Sequence, residues 1–167
     1  IAMILGVPLP ELEKVIYFAS YIVTRVNDEL KAEAMKRIEA EFKSKIKATT
    51  DDVEIERLKE LKDHERMNLK NLVKYQILSE LEYRDLSMKY GEVFEAGIGA
   101  EAVRRLLESI DLEQLAQQIE IEYKRETNPL DARKTSRRLK LVRNMQKAGV
   151  RPEWMVMTTL PVIPPAL

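Results

Sequence analysis

The sequence predicts a mainly α fold carrying a small antiparallel two-stranded ribbon, and three observations support it. Charged residues make up 34% of the chain and aromatics 6%, a balance that suits helices with broad solvated faces better than a β-rich core. Between residues 27 and 148 apolar side chains recur at three- and four-residue steps, flanked by residue types that cap helices. Two short stretches, about 15–24 and 154–160, break that period with β-branched, aromatic and methionine residues, and they read as strands that pair with each other. A chain of 167 residues suits one domain with a modest core.

Taken in order, Ile1 to Leu5 reads as the last turn of a helix, closed by Gly6 and broken at Pro8 and Pro10. Pro10 also suits the first position of a short helix through Lys14 and Val15. Ile16, Tyr17, Phe18, Tyr21, Ile22 and Val23 then form the first strand, with its three aromatics in the core. Its expected partner is Met155 to Leu160, which would make 24–150 one helical excursion from a two-stranded base. From Asn27 to Ala48, Leu30, Ala34, Ile38, Phe42 and Ile46 form one helical stripe. Thr49 to Asp52 supplies a turn and a cap, and Val53 to Val73 gives a second helix with Ile55, Leu58, Leu61, Leu69 and Leu72. Lys62 and Glu65 interrupt that second stripe, so 27–74 is expected to be an antiparallel hairpin that protrudes as an arm and stays outside the core.

Ser79 and Glu82 have capping-box spacing for a helix that runs to Tyr90 and stops at Gly91. Phe94 to Gly99 reads as a connector, followed by a helix from Ala100 to Glu108. Asp111 caps the next helix, whose apolar face holds Leu112, Leu115, Ile119 and Tyr123. Asn128-Pro129 opens a long helix with Leu139, Val142 and Met145 inward; Gly149 ends it and Pro152 prevents its return. Val156 to Leu160 is the second strand, and Pro161, Pro164 and Pro165 then hold the chain extended.

The formal net charge is zero, so any case for a nucleic-acid or membrane partner rests on local patches. No cysteine is present and His64 is the single histidine, which leaves no thiolate site and no histidine pair for a metal. His64 is expected to be exposed on the arm. The acidic pairs Asp51-Asp52 and Glu11/Glu13 read as surface and capping groups, since nothing apolar surrounds them to raise a pKa for acid-base work. No apolar run approaches the roughly 18 residues of a membrane span, and no basic-then-apolar leader opens the chain; a cytoplasmic location is expected. Both ends are apolar and the first residue is Ile1. A piece of a longer polypeptide is therefore expected, with Ile1 to Leu9 and Trp154 to Leu167 resting on neighbouring parts.

The strongest local charge feature is Arg133, Lys134, Arg137, Arg138, Lys140, Arg143, Lys147 and Arg151, with no acid between Asp131 and Glu153. On a helix several of these share a face, and such a stripe can hold phosphates. The other reading is a solvated face paired with Glu113, Glu120, Glu122 and Glu126 of the preceding helix. Both can hold, with Arg133 and Arg137 paired and the others facing a polyanion. Trp154, beside Pro152 and Met155, reads as a core or interface anchor.

Four stretches, in order, resemble the clamp region of the beta-prime subunit of bacterial DNA-directed RNA polymerase: LGVPLPELEKVIYFASYIV at 5–23, YGEVFEAGIGAEA at 90–102, LLESIDLE at 106–113 and RPEWMVMTTLPVIPP at 151–165. The resemblance implies a non-catalytic clamp fragment lying between a zinc ribbon and the lid and clamp helices. It divides the chain into a clamp core, 1–26 with 75–167, and a lineage-specific helical insert at 27–74. The parent would be a nucleotidyltransferase, with its magnesium and zinc sites outside this chain and no cofactor within it. Implied partners are the rest of beta-prime, the beta, alpha and omega subunits, downstream DNA, and sigma factor through neighbouring elements. By the same implication the eight basic residues of 133–151 become DNA-phosphate contacts. A second reading is a free-standing helical module that binds a protein through the 28–73 arm; a cysteine-rich ribbon encoded upstream of Ile1 would discriminate against it.

Overall fold

The computed structural model describes residues 1–49, 51–160 and 162. Its elements run α1 (Ala2–Leu5), α2 (Leu9–Ile16), β1 (Tyr21–Val26), α3 (Asp28–Ala48), α4 (Asp52–Asn71), β2 (Ile77–Leu78), α5 (Glu80–Tyr90), β3 (Phe94–Gly97), α6 (Gly99–Glu108), α7 (Leu112–Arg125), α8 (Pro129–Ala148) and a 3-10 turn at Pro152–Met155. The fold is mainly α, as the sequence predicts. The chain forms two compact units, one of residues 1–13 and 100–167 and the other of 14–99.

In the 14–99 unit β1 is the central strand of a three-stranded antiparallel sheet in the order β2-β1-β3. Ile22 faces Ile77 on one side and Gly97 on the other, and Val26 faces Phe94. The expected ribbon of 15–24 with 154–160 is therefore corrected. Both edges of β1 are taken by β2 and β3, and 154–160 contains no strand. Pro152 fixes its own φ and starts a tight turn, in which the Val156 amide reaches the Glu153 carbonyl at 3.1 Å. The residues expected to be the connector after Gly91 supply β3 instead. Pro161, Pro164 and Pro165 of the expected extended stretch lie outside the described residues.

The first strand also starts later than its composition suggests. Val15 and Ile16 end α2, and a turn at 17–20 holds Phe18 at φ 60, a left-handed conformation that is rare for a bulky residue. Tyr17 and Phe18 are 79% and 70% exposed, which corrects their placement in the core. The Phe18 ring covers the open face of Gly99, where a Cβ would come within 2.7 Å of it. Tyr21 is half-buried and stacks on Tyr83 of α5 at 4.0 Å between ring centroids; Phe94 meets Tyr83 edge-on at 6.3 Å.

α3 and α4 pack antiparallel. Asn27 caps α3 by accepting from the Glu29 and Leu30 amides at 3.1 and 3.2 Å, and Asp51 caps α4 through the Val53 amide at 3.1 Å. Lys31 Nζ donates to the Lys70 and Leu72 carbonyls at 3.2 and 2.7 Å, closing the far end of α4. The base of this hairpin belongs to the core: Ala34, Ile38, Phe42, Leu69 and Leu72 are buried in one cluster with Val23, Leu78, Val93 and Phe94. The expectation that the arm stays outside the core is corrected for that base. Glu65, read as an interruption of the stripe, accepts from Lys89 Nζ at 2.6 Å and the Tyr90 hydroxyl at 3.1 Å, tying α4 to α5. His64 is exposed, as expected, and lies 3.3 Å from Asn68 through its Nδ1.

In the other unit α7 and α8 form a second antiparallel pair around Ala116, Ile119 and Val142, flanked by Leu112, Leu115 and Leu139. Asp111 caps α7 at the Glu113 and Gln114 amides, 2.8 and 3.3 Å away. Asn128 caps α8 at the Leu130 amide with Pro129 in the first turn. Gly149, at φ 65, ends α8, and the Val150 amide returns to the Met145 carbonyl at 3.0 Å. Trp154 is 62% exposed, so it is not a core residue. No helix among the described residues is long and apolar enough to cross a membrane.

Candidate nucleic-acid interface

Seven of the eight cations singled out in the sequence lie on α8, and Arg151 follows it. The buried face of α8 is set by Val142 and Met145. Arg133, Arg137, Lys140 and Lys147 follow steps of four, three and seven residues, so they stay within an arc of about 80° directly opposite Val142. All four are exposed. Together they make a straight stripe about 21 Å long, and among the described residues none of the four has an acidic partner.

The other four cations are engaged. Lys134 pairs with Asp131 at 3.1 Å within the first turns of α8. Arg143 reaches Glu120 of α7 at 2.7 Å, and Arg151 pairs with the buried Glu153. Arg138 donates through Nε to the Met3 carbonyl at 2.7 Å and through Nη2 to the Ile4 carbonyl at 3.1 Å, while Nη1 lies 3.7 Å from Glu122. Glu120 and Glu122 thus behave as the sequence suggests, but their partners are Arg143 and Arg138. The expected pairing of Arg133 and Arg137 is corrected: both point away from α7, on the side of α8 opposite its buried face.

This division has a physical cause. Arg138 and Arg143 flank the α7-facing side of α8, where acids of α7 meet them; the stripe faces solvent, where no element of its unit supplies an acceptor. Four exposed cations in a row can neutralise a row of anions by charge alone, whatever the sequence that carries it. Exposed pairs such as Lys134 with Asp131 are worth about 1 kcal/mol or less, so those cations can exchange an internal acid for an external phosphate. The run of positive charge is visible in the sequence; the split into tethered and open members is not, because it depends on how α8 meets α7 and, for Arg138, on Met3 and Ile4 more than a hundred positions away.

No family model matches the chain. Its curated relatives are beta-prime subunits of DNA-directed RNA polymerase. The subunit from Dehalococcoides mccartyi is 30% identical over 100% of this chain, and that of Symbiobacterium thermophilum is 35% identical over 99%. A third, from Caldicellulosiruptor saccharolyticus, is 50% identical over 58% of the chain. The matched region amounts to 15%, 10% and 8% of those three subunits in turn. The four ordered stretches that resemble beta-prime thus sit in a chain that aligns with such subunits essentially end to end, and it belongs to the bacterial RNA polymerase beta-prime family as the counterpart of one segment of those much longer polypeptides.

Proposed function

We propose that this chain is a non-catalytic part of the polymerase clamp, within a DNA-directed nucleotidyltransferase of the bacterial cytoplasm. In this reading it helps to enclose downstream DNA and supports the lid and the sigma-binding elements that follow it in the parent subunit. The beta, alpha and omega subunits and the remainder of beta-prime are its neighbours, and the magnesium and zinc of the parent lie outside it. Residues 1–26 and 75–167 are the clamp core, and 27–74 are a lineage-specific insert. A match such as that from Caldicellulosiruptor, 50% identical yet limited to 58% of the chain, supports a division into a better-matched and a more divergent part.

The observation that carries the DNA-facing role is the open stripe of Arg133, Arg137, Lys140 and Lys147, four exposed cations on one line with no acidic partner among the described residues. A duplex presents phosphates along such a line, and each one neutralised releases condensed counterions. In the assembled polymerase, replacing Arg137, Lys140 and Lys147 by Ala is expected to shorten open-complex lifetime. It is also expected to flatten the dependence of log retention on log salt by about 0.9 for each phosphate that is no longer neutralised. Retention unchanged across a salt series in the triple variant rejects the phosphate role.

A further inference from the structure

We infer that Arg138 is a positioning residue and not a phosphate ligand: it pins the N-terminal turn 1–6 and α7 to α8 and thereby fixes the line on which the open cations stand. The inference rests on the phosphate reading of that stripe, but it is carried by a separate set of contacts.

Arg138 spends its guanidinium in three directions. Nε meets the Met3 carbonyl at 2.7 Å, Nη2 meets the Ile4 carbonyl at 3.1 Å, and Nη1 faces Glu122 at 3.7 Å. Its side chain retains only 23% of its exposure. Met3 and Ile4 stand in the last turn of α1, where helix carbonyls have no partner within the helix. A charged donor that leaves such carbonyls abandons two helix-end acceptors, the Ile4 one partly buried, whereas an exposed lysine gives up an aspartate at little cost.

Gly6 is the second half of the device. It closes α1 at φ +73, and a Cβ there would lie 2.9 Å from Nη2 and 3.1 Å from Cζ of Arg138. The guanidinium therefore occupies the space left by the missing side chain, and any larger residue at position 6 displaces it as well as straining the backbone. Only a planar fork serves three acceptors placed this way; a lysine ammonium is a single point on a flexible stem and cannot hold both carbonyls and the carboxylate in one geometry. The glycine, the two carbonyls and Glu122 together account for an arginine at 138, on a different side of the helix from the open stripe.

The test compares Arg137 and Arg138 in the assembled polymerase. Arg137→Ala is expected to flatten the salt dependence of DNA retention by about 0.9, with Arg137→Lys restoring most of it, because a phosphate accepts either cation. Arg138→Ala and Arg138→Lys are both expected to reduce retention at fixed salt by about threefold or more, the size of coupling carried through a packed contact, while leaving the slope unchanged. Gly6→Ala, which keeps every charge, is expected to reproduce them. Hydrogen exchange on the same assembled enzyme provides the readout independent of DNA: amides of residues 4–7 exchange faster in both Arg138 variants and in Gly6→Ala, and not in Arg137→Ala.

A slope change in Arg138→Ala equal to that of Arg137→Ala, rescued by Arg138→Lys, overturns the inference and makes Arg138 one more phosphate ligand. Unchanged exchange at 4–7 overturns it too. A flat response in Arg137→Ala instead removes the phosphate reading and leaves the exchange result to judge the tether alone.

Discussion

Glu65 occupies a half-buried position on α4 where Lys89 and Tyr90 of α5 both donate to it. Burial raises its pKa, but the hydrogen bond and charge of Lys89 and the Tyr90 hydroxyl outweigh that and hold the carboxyl below its ordinary value. The phenol of Tyr90 moves the other way, pushed up to about 12 by burial and then by the charge of Glu65. The signs define a window. A depressed carboxylate adds stability that is present above the unfolded value of 4.5 and is lost as pH falls through its lower folded value. A raised phenol adds stability that is present below 10.0 and is lost as pH rises toward 12. Urea unfolding of the chain at pH 7 and pH 3 should therefore show an acid loss that shrinks in Glu65→Gln, and that variant should be less stable at pH 7 by about 1 kcal/mol. An acid loss of the same size in both proteins contradicts the assignment. Glu65 also shows what a residue string conceals. Read along α4 it interrupts an apolar stripe; its role is set by α5, more than twenty residues on. The basic run is similar: eight cations are legible as a group, yet Arg138 is distinguished from Arg137 only by Met3, Ile4 and Glu122.

At the scale of elements, ends are easier to read than partners. Asp51, Ser79, Asp111 and Asn128 each cap the helix that follows them, as the sequence indicates, because a cap needs only an amide two or three residues away. β1 is recognisable from its composition, whereas β2 has two residues and β3 four, too short for any period to show. The apolar 154–160 stretch competes for the same role and loses to the turn started by Pro152. Two glycines test how tightly the ends are built. Gly149 is at φ +65 with nothing within 4 Å of a Cβ added there, so Gly149→Ala should cost about 1 kcal/mol, the backbone penalty alone. Gly99 combines φ +78 with the Phe18 ring at 2.7 Å, so Gly99→Ala should cost clearly more. Phe18→Gly removes that ring and relaxes the left-handed backbone at position 18, so Phe18→Gly with Gly99→Ala should be less destabilising than the sum of the single changes by at least about 0.5 kcal/mol. Denaturation midpoints of the four proteins measure this, and strict additivity would refute the contact.

For the molecule as a whole the hairpin has two parts with different consequences. Its base supplies Ala34, Ile38, Phe42, Leu69 and Leu72 to the cluster that also holds Val23, Leu78, Val93 and Phe94. Among the described residues its distal part, between Lys43 and Asn68, buries no side chain fully, and Ile46, Ile55, Leu58 and Glu65 are half-buried there. A hydrophobic core tolerates loss of exposed length far better than loss of the side chains that fill it. Excising residues 44–57 and joining the cut ends with a short Gly-Ser turn removes the last five residues of α3 and the first six of α4, about one and a half turns of each helix. It also spares Phe42, Leu58 and Glu65. The shortened chain should unfold cooperatively within about 1–2 kcal/mol of the parent. Excising the whole of 27–74 instead leaves Val23, Leu78, Val93 and Phe94 without their cover, and each uncovered large side chain costs about 2–5 kcal/mol, against a total stability for a domain of about 5–15 kcal/mol. That deletion should leave the 14–99 unit without a cooperative transition and with apolar surface that binds a hydrophobic dye. Retention of a sharp urea transition by the remainder of the 14–99 unit after the 27–74 deletion would mean that the hairpin base fills no core, and the arm would then be separable at its root.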